Sequence, residues 1–190
     1  MKWKWTIPNV LSLYRLLMFP VLLVMIFQEA ESWFALFFCI NLFTDVLDGF
    51  IARRFNQQSE IGIMLDSWAD FGSYLLAIIG MVHFHPEVHQ RYPWWLGVFL
   101  ALYFLQIGLT KWRHGLWIAG WHAYSTKVAG YTQAFFFAAL FVVGLIDWLF
   151  ITAIVLGVLT ELELIALNFV CDHPVKNVKG LYWYLKQKGN

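Results

Sequence analysis

Charge is what this sequence has least of. Asp, Glu, Lys and Arg make up 13% of its 190 residues, whereas 61% are hydrophobic. A soluble domain of that length carries roughly a quarter charged residues. The shortage excludes a water-solvated globule and implies an integral membrane protein, expected to form one domain over 1–190. A net charge of +1 removes any electrostatic case for nucleic acid. Cysteine is nearly absent. Cys39 and Cys171 have neither zinc-ligand spacing nor a disulfide framework, so they say nothing about compartment or redox chemistry. Low-complexity tracts and clear internal repeats are also lacking. Lys2 and Lys4 precede an apolar run, as in a secretory leader, but Arg15 interrupts the run, Pro20 sits within it, and Gln28-Glu29-Ala30-Glu31 is a poor cleavage site. The first apolar segment is therefore expected to be retained as a helix.

What is abundant is apolar sequence in stretches of spanning length, about 20 residues each. Six such stretches are expected, near 9–28, 33–54, 61–84, 93–111, 127–146 and 148–170, separated by short polar connectors. The fold class follows: an all-α membrane protein with six transmembrane helices. If the N-terminus is cytoplasmic, twelve of the thirteen basic residues fall at or near the cytoplasmic side, with only Arg91 outside. Glu29, Glu31, Glu87 and Asp147 take the opposite side. That one-sidedness satisfies the positive-inside rule and places both termini in the cytoplasm. Trp3 and Trp5, beside Lys2 and Lys4, suggest an N-terminal interfacial segment, and Leu181 to Lys186 reads as a short interfacial helix. Trp94, Trp95, Trp112, Trp117, Trp121 and Trp148 lie near span ends and form an aromatic belt.

Four aspartates interrupt this apolar sequence: Asp45, Asp48, Asp66 and Asp70. A bare carboxylate in hydrocarbon is costly unless paired, protonated or metal-bound. Asp45, Asp48 and Ala52 stand at i, i+3 and i+7 of one helix, with Gly49 and Arg53 flanking that face. Gly62, Asp66 and Asp70 stand at i, i+4 and i+8 of the next helix. A short connector makes the two helices antiparallel neighbours, so the two pairs lie at similar depth and converge near the cytoplasmic end. Convergent carboxylates repel strongly at low dielectric. One or two hard divalent cations with oxygen ligands, Mg²⁺ first, are the natural remedy. No His or Cys stands at this depth to favour zinc or copper. Gly49, Ala52 and Gly62 either let the helices pack closely or leave room for a ligand. Arg53 adds a bidentate phosphate fork at the edge of the cluster. Metal, guanidinium and open space together suit a phosphoanhydride or nucleotide. Two alternatives are a salt-bridge network that only holds the bundle together and a cation path lined by an Asp ring; the second explains the carboxylates but not Arg53.

The pattern D-x-x-D-G-x-x-A-R-x8-G-x-x-x-D-x-x-x-D, complete from Asp45 to Asp70, resembles the signature of the CDP-alcohol phosphotransferases. Ile7-Pro8-Asn9-Val10-Leu11-Ser12-Leu13-Tyr14-Arg15, followed by Pro20, is similar to that family's N-terminal segment. The resemblance implies transfer of a substituted phosphate from a CDP-linked donor, commonly CDP-diacylglycerol, to a small alcohol, with release of CMP. It implies Asp45, Asp48 and Asp66 as metal ligands for Mg²⁺ or Mn²⁺ and Asp70 as a fourth ligand and the catalytic general base. Gly49, Ala52, Arg53 and Gly62 would hold the nucleotide part. Family members of this length and topology point to glycerol 3-phosphate as acceptor, to a homodimer as partner state, and to a bacterial inner membrane with the site facing the cytoplasm.

Other polar residues are weighed more lightly. Arg113 and Lys127 are the nearest cations for an acceptor's phosphate, although anchoring at the membrane surface explains Arg113 equally well. Glu161 and Glu163 fall within the sixth span and are expected to pair, with Lys127 or Arg15 or at a subunit contact, before any catalytic role. His83, His85 and His89 cluster beside Pro86 in the outer connector and are expected to be solvated.

Overall fold

The computed structural model describes residues 6–55, 60–115, 123–171 and 179–188. The interfacial segment expected at Trp3 and Trp5, along with Lys2, Lys4, Trp117, Trp121 and Lys176, lies outside the described residues. Eight helices and no strand occur among the described residues: α1 Ile7–Phe27, α2 Glu31–Arg54, α3 Glu60–Phe84, α4 Pro86–Arg91, α5 Pro93–His114, α6 Tyr124–Val143, α7 Asp147–Val170 and α8 Leu181–Lys188. The six long helices coincide with the six expected stretches to within a few residues. Five of them, α1, α2, α5, α6 and α7, are long and apolar enough to cross a membrane. The remaining one, α3, has 25 residues and carries Asp66 and Asp70.

Local chemistry sets the helix ends. The Thr6 side chain caps α1 by accepting from the Asn9 amide, and Pro8 occupies the first turn, where its missing N–H costs nothing. Proline also opens α5, and Gly115 closes that helix in the left-handed region at φ 71°, donating its N–H to the Lys111 carbonyl. Gly144, at φ 99°, makes the tight turn expected before Asp147. The short α4 was not expected; it fits between Pro86 and Pro93, with Glu87 in its first turn and Arg91 in its last, each favourable to the helix dipole.

The chain packs as two compact units, one of residues 1–88 and 137–145, the other of 89–136 and 146–190. In the first, α1 lies along both α2 and α3. Its core is aromatic: Phe34 and Phe38 each meet the edge of Phe141, at centroid distances of 4.9 and 5.2 Å. Gly80 is what lets α3 approach that group. His85 departs from the solvated state expected of it. It is buried; its Nδ1 is 2.9 Å from Glu87 Oε1, which joins the end of α3 to the start of α4, and its Nε2 lies 3.2 Å from Glu31 Oε1 without forming a hydrogen bond.

In the second unit α5 packs on α7, where Gly157 faces the Phe99 ring. A buried chain of neutral hydrogen bonds runs from Gln106 to Thr110, 3.0 Å, and on to Asn168 Oδ1, 3.1 Å. Glu163 pairs with neither Lys127 nor Arg15. Its carboxylate accepts from the Ser125 hydroxyl and, at 2.8 Å, from the Leu181 amide, so it caps α8 and binds it to the start of α6. Leu181 and Tyr184 then pack on Leu164, Leu167 and Cys171. The helix expected in the tail is therefore present and docked.

Across both units large apolar side chains stand on the outside, among them Phe27, Phe43, Phe104, Phe135 and Val142. Such a surface suits acyl chains rather than water. The protein is an integral membrane protein.

A Cβ added at Gly80 would sit 2.8 Å from Phe34 Cζ and 3.1 Å from Phe141 Cζ. Gly80→Ala is expected to destabilise the protein by about 1–3 kcal/mol through overpacking. Thermal unfolding in lipid nanodiscs checks this, and an unchanged midpoint would refute the packing described.

Candidate metal and nucleotide site

Three helices of the first unit build the site. The spacing expected of α2 and α3 holds: Asp45, Asp48, Asp66 and Asp70 all reach one point. What occupies that point is a side chain from α1. Arg15 Nη1 lies 2.6 Å from Asp45 Oδ1 and 2.8 Å from Asp70 Oδ1. Arg15 Nη2 lies 2.6 Å from Asp66 Oδ1 and 3.0 Å from Asp48 Oδ2. Each terminal nitrogen thus bridges one carboxylate from α2 and one from α3. A guanidinium suits this because its planar fork presents several donors at fixed angles, which an ammonium does not.

Exposure divides the carboxylates. Asp48 is 4% exposed, and the Ser12 hydroxyl lies 3.1 Å from its Oδ2. Asp45, Asp66 and Asp70 are 41%, 46% and 55% exposed. The ring is therefore closed behind Asp48 and open along the other three, on the side where a ligand can reach them.

Charge does not balance. One guanidinium faces four carboxylates, so up to three negative charges are left without a compensating cation in the ring. Asp45, Asp48 and Asp66 each offer one oxygen, all within 4.8 Å of one another. Convergent carboxylate oxygens carrying excess negative charge are the donor set that Mg²⁺, Mn²⁺ or Ca²⁺ takes. The residues present therefore fit a hard divalent cation.

Gly49 and Ala52 on α2 and Gly62 on α3 are half-buried on these same helices. The backbone of Arg53 lies in the last turn of α2, but its side chain falls outside the described residues. Arg113, at the end of α5, and Lys127, in α6, belong to the second unit; both are exposed, with Lys127 Nζ 5.9 Å from the centre of the Tyr124 ring.

Sequence reasoning missed two residues. Arg15 figured as an interruption of an apolar run, as the end of a stretch resembling the family's N-terminal segment and as a possible partner for a glutamate, but not as a member of the site. Its signal was a polar stripe, Asn9, Ser12 and Arg15 at three-residue intervals, and all three side chains are buried. The other is Asn41, one helical turn before Asp45 on the same face of α2. It is 1% exposed, and neither its amide nitrogen nor its oxygen has a hydrogen-bond partner among the described residues.

A model of the family described as CDP-alcohol phosphatidyltransferase matches residues 5–171. Among curated proteins, the CDP-diacylglycerol–glycerol-3-phosphate 3-phosphatidyltransferase of Salmonella choleraesuis is 38% identical over 96 residues, 49% of this chain and 50% of that protein. The protein of the same name from Escherichia coli is 36% identical over 97 residues, again 49% and 50%. The chain thus spans about half the length of the curated relatives it matches. No solved structure matches.

A buried carboxamide with both ends unpaired costs about 1–3 kcal/mol relative to an apolar group of the same shape. Asn41→Leu is therefore expected to raise the midpoint of thermal unfolding of the ligand-free protein. A fall in the midpoint would mean that Asn41 is satisfied by a group the contacts above do not include.

Proposed function

Because the chain belongs to the CDP-alcohol phosphatidyltransferase family, we propose that it transfers a phosphatidyl group from CDP-diacylglycerol to a small alcohol and releases CMP. The observation that carries this is the meeting of the four signature aspartates at one open ring, with three of their oxygens placed for a hard cation.

In this proposal Asp45, Asp48 and Asp66, with Asp70 completing the set, hold Mg²⁺ or Mn²⁺. When bound, the metal neutralises the diphosphate and stabilises the departing oxygen of CMP. Asp48, pinned by Ser12 and Arg15, fixes the shape of the ring. Asp70, the most exposed of the four, takes the proton of the acceptor hydroxyl as that oxygen bonds to the lipid-bearing phosphorus and the bond to CMP breaks. Gly49, Ala52 and Gly62 leave room for the nucleotide, and Arg53 pairs with its phosphates.

Glycerol 3-phosphate is the acceptor that the relatives' names support. Arg113 and Lys127 are the cations proposed for its phosphate, on charge alone. Bacterial relatives and the one-sided distribution of lysine and arginine support a bacterial inner membrane, six spans, both termini inside and a site facing the cytoplasm. A homodimer is part of the same proposal, by family resemblance. The family match runs through most of the chain, which supports one functional domain over 1–190.

The test is CMP release by purified protein given CDP-diacylglycerol, glycerol 3-phosphate and Mg²⁺. Asp70→Asn is expected to lower the rate by about 10²–10⁴-fold, the range for removing a general base, with helix content unchanged. Full activity in that variant would remove the base assignment. Ion conduction without CMP release across a panel of alcohols would favour a cation path instead. A separate measurement addresses the acceptor. Arg113→Gln and Lys127→Gln are expected to raise KM for glycerol 3-phosphate without changing KM for the donor; a donor effect alone would reassign them.

A further inference from the structure

Arg15 does more than neutralise charge. Its side chain is 1% exposed, yet its only described partners are the four aspartates. The Nε donor is buried with no partner among the described residues, so none of them fixes the fork by a hydrogen bond at the root of the guanidinium. The carboxylates that hold its terminal nitrogens include the three whose oxygens converge for a cation. A divalent ion bound by those carboxylates competes with the guanidinium for their charge and repels it.

We infer that Arg15 is the resident counter-cation of the ring, keeping α2 and α3 joined while no metal is bound, and that metal must displace it to load. Arg15 thereby sets how tightly the site takes a divalent ion. This is a positioning role that works through the aspartates. It rests on the charge and geometry of the ring, and it stands whatever donor or acceptor the enzyme uses.

The experiment uses the full chain in nanodiscs, stripped of metal by chelation and titrated with Mn²⁺. Bound Mn²⁺ is read by paramagnetic resonance and stability by thermal unfolding. Arg15→Gln removes the charge and keeps an amide donor. Its metal-free midpoint is expected to fall by several degrees, its affinity for Mn²⁺ to rise tenfold or more, and saturating Mn²⁺ to bring its midpoint back toward that of the native protein. A purely structural arginine would lower the midpoint and leave Mn²⁺ affinity unchanged or weaker; that result overturns the inference. Should Arg15→Gln fail to fold, Arg15→Lys decides. An ammonium keeps the charge but cannot span four carboxylates, so Mn²⁺ should bind more tightly than in the native protein, and native or weaker affinity overturns the inference. Neither readout involves CMP release, so failure here and failure of the proposed transferase activity are separate results.

Discussion

The constraint on which this structure turns is the placing of four carboxylates at one point of a membrane bundle. Separately, each would be excluded from hydrocarbon. Together they need cations, and the protein supplies one from a third helix. The fold of the first unit follows from that need. Because Arg15 must reach both α2 and α3, α1 packs along both. Because the carboxylates must converge, the connector between α2 and α3 is short and the helices are antiparallel. The imbalance that remains, one positive group against four acidic ones, is tolerable only if the ring is open to solvent or to further cations, and three of its four members are exposed.

The second unit solves the burial of polar groups differently. Gln106, Thr110 and Asn168 form a chain of neutral hydrogen bonds, Glu163 spends its oxygens on a hydroxyl and a backbone amide, and Asp147 accepts from the Tyr92 hydroxyl and pairs with Arg91. Matching is not complete there: His89 Nδ1, Thr126 Oγ1 and Glu161 Oε2 are buried without a hydrogen-bond partner among the described residues. In the first unit the matching fails beside the ring. Arg15 Nε and the side-chain amide of Asn41, one turn from Asp45, lack partners among the described residues. Unmatched polar groups in an apolar bundle oppose stability. Arg15 Nε and Asn41 stand beside the ring's excess negative charge, and that charge is what sets this part of the molecule apart.

The helices were readable because a membrane requires long apolar runs, and their ends because proline, glycine and polar connectors break such runs. The convergence of the four aspartates was readable because spacings of three and four place side chains on one face of a helix, and a short loop then sets the two faces against each other. Arg15 was not readable in the same way. It stands thirty residues before Asp45 on another helix, and a cross-helix ion pair leaves no periodicity in the sequence. Its traces were a line of polar residues at three-residue spacing in an otherwise apolar segment and the likeness of Ile7 to Arg15 to a family's N-terminal segment, neither of which says what Arg15 meets. His85 was misread for a related reason. A histidine between Phe84 and Pro86 looks like a connector residue, and only the fold brings Phe141 against its ring and Glu31 near its Nε2. The α4 turn escaped notice because six residues between two prolines carry too little pattern to show.

Differences within the ring bear on how it would work. Asp48 is the carboxylate least able to move: it is buried, held by Arg15 and near the Ser12 hydroxyl. A metal ligand benefits from such restraint, because a cation demanding fixed geometry binds best where the oxygens need not be reorganised. Asp70 is at the other extreme. It is the most open of the four and meets Arg15 through the same nitrogen as Asp45. A group that takes a proton from an incoming alcohol has to meet that alcohol and must later give the proton to water, and neither is possible for a residue sealed behind its neighbours. Four residues of one chemical type are thus separated into fixed and accessible positions by burial alone. The proposed chemistry needs that separation, and a bundle merely held together by ion pairs would have no use for it.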